Sequence, residues 1–169
     1  MDKTEGPARS GSQSKVPRIL LLLVLAAFLF RLVTVIMGRQ RTDAGAGLVR
    51  WQPVGEAQAT ARSAGKPLLY DFTAAWCAPC HRLDSEGWTD PEIASLINRD
   101  YLPVRIVDRQ QEDGRNSPAI EEAQRKYSIN AFPTLIVAAP DGRLIARVQG
   151  FGGRGSLLQF LQESSRKKP

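Results

Sequence analysis

Residues Pro67–His81 read PLLYDFTAAWCAPCH, and the rest of the chain takes its place around this stretch. Pro67–Thr73 is an almost unbroken apolar run with β-forming residues, the pattern of a strand buried on both faces. It leads through Trp76 into Cys77 and Cys80, the only two cysteines among 169 residues. Closing so short a loop constrains little of the chain, so a stapling role explains the pair poorly. A pair that opens and closes reversibly at a strand-to-helix junction points instead to thiol–disulfide chemistry.

Outward from that stretch the chain alternates strands and helices. Upstream, Leu48–Trp51 predicts a short edge strand. Val54–Ala64 predicts a helix closed by Gly65 at C′. Downstream, a helix is expected from Cys77–Pro79, with Pro79 tolerated in its first turn, to a break at Gly87. Thr89 or Asp90 then caps a second helix that starts with Pro91 and runs to Asn98. Leu102–Val107 predicts a strand, Asp108–Ser117 a polar loop, and Pro118–Tyr127 a helix capped by Ser117. Thr134–Ala139 and Leu144–Gln149 predict a hairpin across Pro140-Asp141-Gly142. Ser156–Gln162 predicts a closing helix. The expected order is βαβαβαββα, an α/β architecture.

The leader is of a different kind. Met1–Lys15 is rich in Gly, Ser and charge and reads as disordered. Ile19–Phe30 (ILLLLVLAAFLF) is unbroken and apolar, and Leu32–Met37 continues it after Arg31. Together they reach about 20 residues, the length of a bilayer crossing. Arg31 costs at most about 2.5–3.5 kcal/mol at the bilayer centre, which a dozen Leu, Ile, Val and Phe residues outweigh. A buried helix of a globular domain fits less well, because the run is hydrophobic all round. Lys3, Arg9, Lys15 and Arg18 before the span slightly favour an N-terminus on the cytoplasmic side. Ala44-Gly45-Ala46 has the small-x-small form of a signal cleavage site, which leaves a cleaved signal as the alternative.

Charge excludes one class of partner. The formal net charge is +6, but residues 1–46 carry seven Lys/Arg against three Asp/Glu, and residues 47–169 carry sixteen against fourteen. The excess lies mostly in the leader, whereas a nucleic-acid binder would carry it on the folded face. No nucleic acid is expected, and Arg166-Lys167-Lys168 reads as a solvated tail.

The landmarks WCAPC, an Asp on the strand before it (Asp71) and a later Phe132-Pro133-Thr134 entering a strand resemble thioredoxin, over roughly Val49–Glu163. His81–Asn98 (HRLDSEGWTDPEIASLIN) is similar to the periplasmic C-terminal domain of the transmembrane thiol–disulfide interchange proteins. The resemblance implies a thioredoxin-like three-layer sandwich with a central mixed sheet, preceded here by one N-terminal transmembrane helix. With the composition of the leader and the tail, it divides the chain into a disordered cytoplasmic tail (1–15), a transmembrane anchor or uncleaved signal (16–38), a linker (39–47), a thioredoxin-like domain (48–165) and a basic tail (166–169). It implies a polar loop after Asp108 roughly ten residues longer than in small thioredoxins.

What the resemblance implies for activity is a protein-disulfide oxidoreductase. Cys77, at a helix start where free N–H groups and the helix dipole favour negative charge, is expected as the exposed nucleophile. Cys80 is expected to resolve the mixed disulfide. Asp71, expected without a local ion partner, has the raised pKa of a buried carboxylate and takes the proton from Cys80. Thioredoxins add a lysine near this carboxylate from the next strand; aligning on Asp108 puts Val104 there. Pro133 is expected to be cis, with the backbone of Phe132 opposite Cys77 to pair with an extended substrate. Trp76, Phe132, Pro133, Thr134 and Gly150 make up the substrate-binding set, with Phe151 as a further aromatic at its rim. The implied partners are protein thiols and disulfides, a membrane electron-donor protein, and the membrane itself. The implied location is the cytoplasmic membrane with the domain on the periplasmic side. Function is expected as disulfide reduction or electron relay, with an oxidase or isomerase on the same fold, or a non-catalytic tethered binding module, as alternatives.

Cys77-Ala78-Pro79-Cys80-His81 also matches the CxxCH pattern of c-type haem attachment. A haem iron usually takes a second strong axial ligand, and the chain offers a single His, with Met1 and Met37 both in the leader. One His and one CxxC are too few for a closed zinc site. No cofactor is expected. His81, one turn beyond Cys77, is a candidate to influence its ionisation.

Overall fold

In this computed structural model, residues 20, 23–27, 31 and 47–167 are described. Residues 20, 23–27 and 31 are helical, and the remainder of the expected anchor Ile19–Met37 lies outside the described residues. Among the described residues no helix is long and apolar enough to cross a membrane. The chain divides into two units, Met1–Thr42 and Asp43–Pro169, and the elements labelled below all belong to the second.

In chain order these are α1 (Val54–Ala64), β1 (Leu68–Ala74), α2 (Ala78–Glu86), α3 (Pro91–Asp100), β2 (Leu102–Asp108), α4 (Gln110–Asp113), α5 (Pro118–Lys126), β3 (Thr134–Ala138), β4 (Leu144–Gln149) and α6 (Arg154–Arg166). The sheet runs β2-β1-β3-β4. β1 and β2 are parallel, while β3 is antiparallel to both β1 and β4. The result is the mixed sheet expected, with one strand fewer. Leu48–Trp51 does not form an edge strand: a single bridge, Gln52 to Val104, ties this segment to β2. Pro53 follows at once at the cap of α1. Lacking an N–H, it gives nothing to continue a ladder.

β1 is central because both of its faces are covered. Every residue from Leu68 to Ala74 is buried. Leu68, Tyr70 and Phe72 face a cluster with Ala57 and Ala61 of α1, Val104 and Ile106 of β2, and Tyr127. Leu69 faces the opposite cluster, with Leu83, Ile93, Ile97, Leu157 and Leu161 from α2, α3 and α6. Each fully buried Leu or Phe contributes about 1.5–3 kcal/mol of hydrophobic stabilisation. The two clusters make the three layers.

Local chemistry sets the helix ends. Asp90 caps α3 by accepting from the backbone N–H of Glu92 and Ile93, and Pro91 opens the first turn. Arg154 of α6 reaches back to the carboxylates of Asp90 and Glu92, joining the two helices. Gly87, at the end of α2, is glycine for a steric reason. A Cβ there would sit 2.8 Å from Leu83 Cδ1 and 2.9 Å from Leu157 Cδ2. Ser117 stands at the cap of α5 but makes no side-chain cap bond.

The segment Asp108–Ser117 is not the plain loop expected. It contains the one-turn helix α4 and is anchored by a buried carboxylate. Asp108 accepts from Gln110 N–H, Asn116 Nδ2 at 2.7 Å and Gln124 Nε2 at 2.6 Å. Asn116 Oδ1 in turn accepts from the Arg109 N–H. Burial pushes the Asp108 carboxyl up, but these three donors outweigh it and hold it below its ordinary value.

Candidate active site

Cys77 sits at the cap position of α2, with extended backbone, and Pro79 lies in the first turn. Cys77 and Cys80 are joined as a disulfide, with Cα atoms 5.2 Å apart. The Cys80 N–H points at Cys77 Sγ, 3.2 Å away, and the N–H groups of Cys80 and His81 both donate to the Cys77 carbonyl. No acidic side chain occupies the first turn of α2. A thiolate at Cys77 would therefore meet the positive end of the helix unopposed.

Cys77 is less open than expected. It is 3% exposed, packed with Ala74, Cys80 and Phe132. The cap geometry that aims Sγ at the helix N–H groups also turns it away from solvent. Trp76, Ala78 and Pro79 form the exposed part of the motif. Trp76 is half exposed and meets the Phe132 ring edge-on at 5.8 Å.

The Phe132–Pro133 bond is cis, and Thr134 begins β3, buried, its hydroxyl on the Ala131 carbonyl. Gly150, at φ 81°, donates its N–H to the Pro133 carbonyl at 2.7 Å. A Cβ on Gly150 would project into open space. The positive φ, rather than crowding, is what favours glycine there. Phe132 thus lies against the disulfide, with Trp76 on its ring and Pro133 next to it in the chain. Phe151 does not join them: it packs on the α2–α3–α6 cluster, with the Arg82 guanidinium over its ring.

Asp71 is 0% exposed, and its expected isolation is not found. Its register partner on β2 is Arg105, whose Nε lies 3.2 Å from Asp71 Oδ2. The alignment that placed Val104 here was one residue out of phase. On a strand, a shift of one turns a side chain to the other face, and Val104 belongs to the opposite cluster. Trp88 Nε1 donates to the same oxygen at 3.1 Å. Asp71 Oδ1, by contrast, is buried without a hydrogen-bond partner. Burial pushes the Asp71 carboxyl up, while Arg105 and Trp88 pull against it; the net direction is upward.

Arg105 serves two carboxylates. Its second guanidinium nitrogen bonds Asp84 Oδ1 on α2, and its face stacks at 5.2 Å on Trp51. Trp51 meets Trp88 edge-on at 5.3 Å. Arg105, Asp84, Trp51 and Trp88 escape the sequence reading. The signal was present in part: Arg105 is the one charge within the apolar strand LPVRIV, in phase with Asp71. His81 Nε2 lies 2.8 Å from the Ala75 carbonyl. Since a carbonyl only accepts, Nε2 is the protonated nitrogen. His81 thereby fastens the turn that carries Trp76.

A buried strand that carries a buried carboxylate and delivers a CxxC disulfide to a helix start, with a cis-proline at the entry to the next strand of the sheet, defines a thioredoxin-like site. Residues 54–164 match the family model described as a thioredoxin-like domain, and the chain belongs to that family. Among curated proteins, it is 30% identical to thioredoxin C-2 of Corynebacterium nephridii over 107 residues, 63% of this chain and 87% of that one. It is 27% identical to the thiol:disulfide interchange protein DsbD of Photorhabdus laumondii over 103 residues, 60% of this chain but 16% of that larger protein. Among solved structures, the DsbH oxidoreductase superposes with a TM-score of 0.63 at 20% identity, over 75% of this chain and 90% of that one. The oxidised C-terminal domain of Neisseria meningitidis DsbD gives 0.52 at 17% identity, over 65% and 90%. These two likenesses concern the fold. With its disulfide in place and such homologues, the chain is a thiol–disulfide oxidoreductase.

Proposed function

We propose that this oxidoreductase works in the reducing direction outside the cytoplasm, held at a membrane by its N-terminal apolar segment. Its partners on this reading are protein disulfides and a membrane protein that supplies electrons. The observation that carries the chemistry is the pairing of Cys77, capping α2 with no acidic residue in the first turn, with a buried carboxylate on the strand that leads to it. Likeness to an interchange protein supports the relay role. The helical residues Leu20, Leu23, Val24 and Leu25 are each more than half exposed, which supports a lipid environment for that segment.

In the reduced protein, the Cys77 thiolate attacks a substrate disulfide, and one substrate sulfur leaves as a thiolate that takes a proton from solvent. The Cys80 thiol then gives its proton to Asp71, and its sulfur attacks Cys77 Sγ. The bond from Cys77 to the substrate breaks, the second substrate thiolate leaves, and the Cys77–Cys80 disulfide forms. Two electrons have passed from the dithiol to the substrate, and a thiol-based donor restores them. Trp76 and Phe132 offer the apolar rim, and the backbone around Pro133 pairs with an extended substrate segment.

Cys80→Ser, made in the full chain, is expected to accumulate mixed disulfides through Cys77 with extracytoplasmic proteins. A potential near that of thioredoxin, roughly −270 mV, is expected against about −120 mV for a strong oxidant. No trapped species, or a strongly oxidising potential, would overturn the reducing role. A reporter fused at the C-terminus and active only in the cytoplasm would overturn the orientation.

A further inference from the structure

We infer that Asp84 is a positioning residue for the resolving step: by sharing the Arg105 guanidinium, it leaves Asp71 able to hold the proton that Cys80 gives up, with Oδ1 as the receiving atom. The inference deepens the role proposed above for Asp71 and rests on it.

Three observations converge. First, the two oxygens of Asp71 are not equivalent. Oδ2 accepts from both Arg105 Nε and Trp88 Nε1, while Oδ1 is buried and unpartnered. A buried carboxylate oxygen with no donor is costly when charged and is where an arriving proton is best stabilised. Secondly, the cation that would hold Asp71 ionised is divided. Arg105 gives Nε to Asp71 and another nitrogen to Asp84. Asp84 lies one turn beyond Cys80 on α2, so the helix carrying the reacting sulfurs also carries the competitor for this cation. Thirdly, the division is fixed in place. Trp51 stacks on the guanidinium, and Trp88 braces Trp51.

The charged and titratable groups around this carboxylate are few. β2 offers Arg105. α2 offers Asp84, and His81 lines the same cleft beside Thr73 and Ala74. Asp108, opposite Ala74 in register, is committed to Asn116 and Gln124. The β3 neighbour of Asp71 is Leu135, which carries no charge. Removing Asp84 hands the guanidinium wholly to Asp71, which then holds a proton less readily. Removing Arg105 strips Asp71 of its counter-charge, and it holds a proton more tightly. The two changes act in opposite directions, which loss of a structural support would not do.

The test uses the full chain in detergent, reduced and mixed with an activated aromatic disulfide. The first aromatic thiolate reports attack by Cys77 and the second reports resolution by Cys80. In the wild type the second phase is expected to quicken with pH as Asp71 ionises. Asp84→Asn moves this limb to lower pH and Arg105→Leu moves it to higher pH, each by roughly one pH unit. Arg105→Lys, which keeps the cation, returns the limb towards the wild-type position. Limbs that move together, or not at all, while the first phase persists would overturn the role of Asp84. Absence of the first phase in the wild type would instead strike the oxidoreductase reading itself.

Discussion

Two buried carboxylates, on neighbouring strands, have been given opposite surroundings. Asp108 ends β2 with both oxygens engaged by Gln110, Asn116 and Gln124, and its carboxyl is held below its ordinary value. Asp71, in the middle of β1, has one oxygen engaged and one bare, and its carboxyl is pushed up. The first arrangement spends an anion on architecture, tying down α4, the segment before α5 and the last turn of α5. The second leaves an anion uncomfortable, and so available to a proton. Burial alone does not mark a reactive carboxylate. What distinguishes the two is how completely the neighbours satisfy the charge.

The comparison breaks most readily at Asp71. Asp71→Asn is expected to slow resolution by Cys80 about 10²-fold, the lower range for loss of a positioned proton acceptor, as read in the second phase of the aromatic-disulfide assay. The same change is expected to raise thermal stability at neutral pH. A carboxyl whose folded pKa is raised contributes stability that is fully present below its unfolded value, near 4, and is lost as pH rises through the folded value. Asparagine removes that loss.

Asp108→Ala is expected to do the reverse. It leaves the Gln110 N–H and the amides of Asn116 and Gln124 without their acceptor, and about 2–4 kcal/mol of stability goes with them. The first phase of the disulfide assay stays within a few-fold of wild type, because no atom of the reaction touches Asp108. Chemical denaturation checks the first statement and stopped-flow the second.

The smallest effect sharpens the contrast. A depressed carboxyl such as Asp108 contributes stability present above about pH 4 and lost as pH falls through the folded value. Acid melting curves of Asp108→Asn are therefore expected to lose part of the wild-type decline at low pH, whereas those of Asp71→Asn diverge from wild type on the neutral side. Curves that diverge on the same side would show that the two sites are not opposites.

Much of this was legible in the sequence. The capping Asp90 and the Pro140-Asp141-Gly142 turn are fixed by local chemistry, the apolar strand and the glycine at 87 show in residue type, and each falls where expected. Cys77 and Cys80 stand out as the only two cysteines, and Pro133 through the resemblance that Phe132-Pro133-Thr134 carries. What escaped depends on registry between distant strands. Whether Val104 or Arg105 faces Asp71 turns on a one-residue phase. Whether Leu48–Trp51 forms a strand depends on Pro53 and on a single bridge. The packing of Phe132 against Cys77 joins positions fifty-five apart and was legible only through the resemblance.

The indole of Trp88, hydrogen-bonded to Asp71 and set edge-on to Trp51, has an optical consequence. Its emission is expected to change with the charge at the far end of that bond. The domain thus carries its own gauge of the proton at its centre. Titrating the emission of a Trp51→Phe, Trp76→Phe variant would let that gauge be read with no added label.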